Sequence, residues 1–380
     1  MNKQEITLNS KEVGEIKRRV RRDRTNITTI YGTYVNDNKE IIAQFAAKTG
    51  TMSENEADKY MALLKQTLGG TLGKNLLNLS FPTRDVASQT SKHALLMKLR
   101  KNALANDTER AQLCQSIIET HPVDGNYLIL LACDTYDVPF KNKDADSGDG
   151  EVFTYILCAI CPVKETKPIL HYNHEDAVFH DGGMIQAVNP PRLGFMFPAF
   201  DERSTNIYGA LYYNKDTGDS KSDFADAVLG VKPPLAADAQ KATFAATLSS
   251  ALGDECTMEL VQEVFQNIGG QIQLAKEAKT PTPLTFDRNE LEKAVAAGGA
   301  SPEKVDAFGS AMEDVFGEDM QVPAGNLFEA KTTITAGDAV IKVDALAGDC
   351  IQLRQIGGAT YICIPAEAGV QINGIDVAIS

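Results

Sequence analysis

No stretch of this 380-residue chain approaches the ~18 consecutive apolar residues of a membrane-spanning helix. The opening MNKQEITLNSKEVGEIKRRVRRDR is polar and lacks the apolar segment of a signal peptide. A cytoplasmic location with no membrane partner is therefore expected. A disulfide framework is missing as well. The seven cysteines, Cys114, Cys133, Cys158, Cys161, Cys256, Cys350 and Cys363, are odd in number and scattered, mostly within apolar runs. That pattern suits reduced, buried thiols. Positive charge is scarce: 37 Lys and Arg stand against 51 Asp and Glu, a net charge of −14. A surface so acidic does not meet nucleic acid or an anionic membrane as a whole, because phosphate binding rests on clustered cations.

Catalytic signatures are equally sparse. GGTLGKN ends like a phosphate loop, but Gly73-Lys74 is followed by Asn75 where the magnesium-binding hydroxyl belongs, and Leu68 stands five residues before Gly73. Cys158-x-x-Cys161 has neither a helix N-terminus to lower its pKa nor a second pair to complete a zinc site. Asp144-x-Asp146-x-Gly148 puts glycine where an EF-hand needs its third ligand, so the acids of Lys141–Gly150 read as a solvent loop. No cofactor is implied.

What is present is a run of structural signals. Tyr127–Cys133 and Val152–Cys161 are nearly continuous apolar segments, as expected of strands buried on both faces at a sheet centre. Ile27–Val35 and Glu40–Ala47 flank an Asn36-Asp37-Asn38-Lys39 turn and predict a hairpin. Ser53-x-x-Glu56 is a capping box that starts a helix running to about Leu68 and stopped by Gly69-Gly70. Leu76–Phe81 follows as a strand, then helices over about Ser88–Ala105 and Asp107–Thr120. From Ser222 the pattern turns helical: Asp223–Leu229, Asp238–Leu252 and Met258–Lys276, with Thr280-Pro281-Thr282-Pro283 as a stiff linker. A helical hairpin, Arg288–Ala297 and Pro302–Phe316, precedes short strands over Phe328–Thr335, Ala339–Val343, Ile351–Gln355, Thr360–Ile364 and Val370–Ile379.

The fold class predicted is α+β: a central mixed or antiparallel sheet flanked by helices, a helical segment, and a small C-terminal antiparallel β unit. The expected divisions are a core domain over 1–235, a helical segment over 236–279, a helical hairpin over 284–325 and a β module over 326–380. The β module is of a size that packs on a neighbour, which makes it the expected surface of a homo-oligomer.

Three groups of residues carry candidate chemistry. Residues 1–24 hold eight cations against four carboxylates, and Val13, Ile16 and Val20 recur at helical spacing. Lys17, Arg18, Arg19, Arg21, Arg22 and Arg24 form either a nucleic-acid contact or a charged helix face. His171, His174 and His180 stand beside Glu175, Asp176 and Asp181, a metal-like composition in a segment that also alternates like an exposed hairpin. Asp201, Glu202 and Arg203, with Ser204 and Thr205, interrupt the apolar runs Gly194–Phe200 and Ile207–Tyr213. There Arg203 is either the bidentate donor to a phosphate or carboxylate, or the partner of its own turn's acids.

The chain carries the phrases MNKQEI, ITTIYGTYV, LGGTLGKNLLNLSFP, GNYLILLACDTYDVP, EVFTYILCAICPV, GFMFPAFDERSTNIYGALYYN and FADAVLGVKPPL, and the likeness they mark extends over nearly the whole chain. On them the chain resembles a bacterial family known as domain of unknown function 4317. That resemblance implies no activity. A shorter likeness, in the order of a buried strand pair, an Arg-Ser-Thr strand end and the helix Phe224–Gly230, is to 37-kilodalton bacterial nucleoid-associated proteins. Two functions remain in view. One is a non-enzymatic binding or scaffold protein, nucleoid- or nucleic-acid-associated through the basic arm. The other is a phosphate-ester hydrolase using the Asp201–Arg203 turn with His174 and His180.

Overall fold

The computed structural model describes residues 9–139, 151–329, 331–344, 351–366, 369–372 and 375–377. The acidic loop with Asp144, Asp146 and Asp149 lies outside them. The chain divides into two compact units, residues 1–239 with 281–283, and residues 240–280 with 284–380.

The first unit opens with α1 (Ser10–Arg19), then the hairpin β1 (Thr29–Val35) and β2 (Ile41–Lys48), α2 (Glu54–Gln66) and β3 (Leu76–Ser80). Three helices follow, α3 (Thr83–Ala87), α4 (Lys92–Lys101) and α5 (Asp107–Glu119). The long strands β4 (Tyr127–Asp137) and β5 (Val152–Glu165) come next, and after them the hairpin β6 (Leu170–Asn173) and β7 (Val178–Asp181) and strand β8 (Gln186–Val188). The unit closes with β9 (Leu193–Phe197), the tight hairpin β10 (Ala199–Asp201) and β11 (Ser204–Asn206), β12 (Gly209–Asn214) and α6 (Ser222–Leu229).

One antiparallel sheet runs β2-β1-β4-β5-β9-β12-β3, and β8 adds to β5. Alternation sends successive side chains of β4 and β5 to opposite faces, and both faces are covered. On one, Tyr127, Ile129 and Leu131 with Ile156, Cys158 and Ile160 pack against Leu96 and Leu99 of α4, Leu113 and Ile117 of α5, and Phe224 and Val228 of α6. On the other, Leu128 and Leu130 with Tyr155, Leu157 and Ala159 pack against Val13 and Ile16 of α1 and Met61 and Leu64 of α2. This double cover is why two antiparallel strands read as continuous apolar runs rather than as alternating ones. Gly194 is what lets α2 close on the sheet. A Cβ there would meet the Cys158 carbonyl oxygen and Thr67 Cγ2, each at 2.5 Å.

Helix starts follow their caps. Ser53 accepts from the Glu56 N–H at 3.3 Å and Asn106 from the N–H groups of Thr108 and Glu109. The expected helix Ser88–Ala105 is shorter at both ends. Ser91, not Ser88, caps it by accepting from the Ala94 N–H at 3.1 Å, and Ala103 and Leu104 sit at positive φ beyond Lys101.

The second unit is built on α7 (Ala237–Leu252), α8 (Met258–Glu277), α9 (Arg288–Ala297), α10 (Pro302–Phe316) and α11 (Ala324–Leu327), with a short ladder between β13 (Thr285–Phe286) and β14 (Val322–Pro323). Phe244, Phe286, Phe308 and Met312 lie in its core. Arg288 pairs with Glu292 on its own helix (2.6 Å) and clamps α9 to α10 through Asp306 (2.8 Å) and Glu313 (2.5 Å). The C-terminal strands form three separate hairpins: β15 (Lys331–Ala336) with β16 (Ala339–Asp344), β17 (Gln352–Ile356) with β18 (Ala359–Cys363), and β19 (Val370–Ile372) with β20 (Ile375–Val377). Within the expected last strand Val370–Ile379, the described residues form two paired strands, β19 and β20.

Candidate functional site

The polar turn flagged in the sequence sits at one end of the central sheet. Asp201 pairs with Ser204 across a two-residue turn, and Glu202 and Arg203 occupy it at φ 50° and 60°. Positive φ at both central positions is the geometry of a hairpin turn whose twist matches its strands, here without glycine. Arg203 points back into the fold. Its N–H donates to Glu12 (2.9 Å), its guanidinium meets Glu15 Oε2 (2.5 Å), and Nη2 donates to the Pro139 carbonyl (2.8 Å). Asp201 accepts from Asn206 Nδ2 at 3.0 Å, and Glu151 accepts from the Thr205 N–H at 2.6 Å.

Helix α1 supplies the partners of this turn and continues the network inward. Tyr136 donates to Glu15 at 2.6 Å, and Arg19 stacks 4.2 Å above the Tyr136 ring. Arg19 also lies 3.7 Å from Asp134, which is 1% exposed. Asp134 accepts from the N–H groups of Asn26 (2.7 Å) and Thr135 (2.9 Å) and from the Tyr155 hydroxyl (2.7 Å). Burial, and then the Asp134 charge, push the Tyr155 phenol well above its usual range, so it stays a donor. The rest of the basic arm is spread over acids of the same unit. Arg21 and Arg24 face Asp23, and Arg22 reaches Glu54 (3.0 Å) and Asp58 (3.8 Å). Arg18 is exposed and Lys17 half-buried.

The histidines occupy the β6–β7 hairpin. His171 and His180 are directly opposed, with ring centroids 6.4 Å apart, while His174 stacks edge-on against Tyr172. His180 Nε2 contacts Asp176 at 2.5 Å. Among the described residues no three His, Cys, Asp or Glu side chains are grouped to hold a metal ion. The cysteines of the CxxC are buried in β5, and burial pushes the Cys161 thiol up to about 12 and the Cys158 thiol well above its usual range.

A different place gathers unspent charge. An open groove of about 550 Å³ runs beside α4, lined by Val86, Ser88 and Gln89, by His93, Met97, Lys98, Arg100 and Lys101, and by Thr154 and Ile207. Arg100 donates through Nε to the Thr154 carbonyl at 2.7 Å, which fixes the guanidinium at the groove wall. Among the described residues, Arg100, Lys98 and Lys101 take part in no ion pair and no carboxylate lines the groove. His93, 2% exposed, is wedged edge-on against Phe81 and Phe197. Its Nε2 lies 2.8 Å from the Ile207 carbonyl, which can only accept, so the proton sits on Nε2. Nδ1 is left as a buried lone pair without a partner among the described residues. Desolvation holds the His93 pKa below its ordinary value, against the opposing pulls of the Ile207 carbonyl and Asp85.

A family model, described as Domain of unknown function (DUF4317), matches residues 8–375. The chain belongs to that family. No match is found among curated proteins. The family carries no assigned activity, so the groove beside α4 and the Arg203 network are read from their own chemistry. Most of the groove lies on residues 86–101, between the phrases LGGTLGKNLLNLSFP and GNYLILLACDTYDVP, while Thr154 and Ile207 fall within two other phrases, and its cations Lys98, Arg100 and Lys101 close α4. Cations close a helix C-terminus favourably in any protein, which hid it. Among the described residues no helix is long and apolar enough to cross a membrane.

Proposed function

We propose that this protein is a non-enzymatic binding protein whose first unit takes up a small anionic ligand in the groove beside α4. The observation that carries this reading is the convergence of Lys98, Arg100 and Lys101 on a groove that no carboxylate lines among the described residues, in a chain of net charge −14. A guanidinium and two ammonium groups match the oxygens of a phosphate or carboxylate. Met97, Val86 and Ile207 offer an apolar wall for the remainder of the ligand. The 550 Å³ volume suits a small molecule. Nucleic-acid binding through the N-terminal arm draws less support, because Arg19, Arg21, Arg22 and Arg24 each already face a carboxylate. The hydrolase reading of the turn is weakened in the same way, since Arg203 is engaged by Glu15, Glu12 and the Pro139 carbonyl.

The test is calorimetric titration with 1-naphthyl phosphate, which joins a phosphate to an apolar ring. One charge-assisted hydrogen bond contributes about 1.5–3 kcal/mol, so Arg100→Gln should weaken binding by roughly tenfold or more. Lys98→Gln with Lys101→Gln should do the same. Unchanged affinity in these folded variants, or no binding by the parent protein, refutes the reading.

A further inference from the structure

A second cleft lies at the opposite end of the same sheet, where β4 begins, β5 ends, β9 begins and β12 ends. It encloses about 350 Å³. Three separate segments bring Lys164, Arg192, and Lys215 with Lys221 to it, with His121 at its edge and the carboxylates of Asp124 and Asp216 also on its wall. The backbone under these side chains is tied down. Arg192 N–H donates to the Ile160 carbonyl (2.9 Å) and Lys215 N–H to the Arg192 carbonyl (2.8 Å). Buried Asn214 holds the following loop by donating to the Asp219 carbonyl (2.6 Å) and accepting from the Asp216 N–H (3.0 Å). Lys221 is kept at φ 50° by Asp219, which accepts from its N–H at 2.8 Å and meets its ammonium at 3.1 Å.

Lys221 apart, the cations above this fixed base are not spent on ion pairs among the described residues. Lys164, Arg192 and Lys215 are exposed and join no ion pair among the described residues. His121 adds a buried Nδ1 without a partner among the described residues. Among the described residues the cleft lining holds five potential cations, counting His121, against the two carboxylates Asp124 and Asp216, and an anion relieves the repulsion that this excess leaves. The two carboxylates point to the rest of the ligand. An all-cationic cleft would suit a bare anion, whereas Asp124 and Asp216 accept hydrogen bonds from hydroxyl groups.

We infer that this cleft binds a phosphorylated polyol, with Arg192, Lys164 and Lys215 on the phosphate and Asp124 and Asp216 on the hydroxyls. The site is separate from the groove beside α4 and does not depend on it.

The experiment is calorimetric titration of the full chain with glucose 6-phosphate, inorganic phosphate and glucose. Glucose 6-phosphate is expected to bind at least tenfold more tightly than inorganic phosphate, and glucose not measurably. Arg192→Gln with Lys215→Gln should weaken glucose 6-phosphate at least tenfold, whereas Lys98→Gln with Lys101→Gln should leave it unchanged. Asp124→Asn should weaken glucose 6-phosphate but not inorganic phosphate. Lys164→Gln serves as an independent exposed variant should the double variant lose its circular dichroism spectrum. Equal affinity for the two phosphates overturns the polyol assignment. Full binding by the Arg192 and Lys215 variants, or no binding by the parent protein at millimolar ligand, overturns the site.

Discussion

Replacing Asp134 by alanine tests whether the network between α1 and the sheet holds the first unit together. The carboxylate accepts three hydrogen bonds, from Asn26 N–H, Thr135 N–H and the Tyr155 hydroxyl, and lies 3.7 Å from Arg19. Tyr155 is fully buried and Arg19 largely so, so truncation strands both a phenol and a cation. Each buried donor left unsatisfied costs about 1–3 kcal/mol, and breaking a buried charge pair from one side costs about 3–5 kcal/mol. These figures overlap in what they count, so the expected loss for Asp134→Ala is about 3–5 kcal/mol. Tyr155→Phe removes the donor with its acceptor still served by other partners and should cost about 1–2 kcal/mol. Combined with Asp134→Ala it should cost less than the sum of the two, by about 1–3 kcal/mol, because the phenol no longer needs the carboxylate. Urea unfolding followed by far-ultraviolet circular dichroism reads both values. The chain has no tryptophan to serve as a fluorescence probe. The two units are expected to give separable transitions, of which one moves. A loss under about 1 kcal/mol, or additive costs in the double variant, refutes the reasoning.

Three further outcomes follow from single residues. Gly194→Ala drives a methyl group against the Cys158 carbonyl and Thr67 at 2.5 Å and should destabilise the first unit by about 1–3 kcal/mol in the same melts. His93 is held neutral by burial, so its folded pKa is below the unfolded value of about 6.5. Its contribution to stability is complete above that value and is lost as pH falls towards the folded pKa, because the unfolded chain takes up a proton that the folded one does not. His93→Gln keeps a donor for Ile207 and should flatten that part of the stability–pH curve; an unchanged slope rejects the assignment. Cys158 and Cys161, with thiols raised far above their usual range, should resist iodoacetamide at pH 8 in the native protein and react once urea unfolds it. Rapid native labelling of either, read by mass spectrometry, contradicts their burial.

The parts of this fold that are local in sequence were legible in it. Caps such as Ser53, the turn at Asn36–Lys39, and the apolar density of β4 and β5 all act within a few residues, and the helices and central strands fall close to where they were expected. What was not legible depends on distance along the chain. Arg203 finds Glu15 188 residues away, and no spacing rule relates the two. β3 joins the sheet at its edge through β12, a pairing set by closure of both layers rather than by β3 itself. His93 hides as one polar residue in the apolar face of α4, and Lys98, Arg100 and Lys101 look like ordinary helix-terminal cations until Thr154 and Ile207 are seen to wall them in. Arg192, Lys164 and Lys215 come from three strand ends and are neighbours only through sheet register.

Lysine footprinting reads the groove beside α4, the proposed binding site, directly. The full chain is acetylated briefly with and without 1-naphthyl phosphate, and each lysine is quantified by mass spectrometry. Lys98 and Lys101 are predicted to be protected several-fold by the ligand, while exposed Lys39 and Lys232 and half-buried Lys241 acetylate at unchanged rates. Equal acetylation of Lys98 and Lys101 with and without ligand would contradict the assignment of this groove as the binding site.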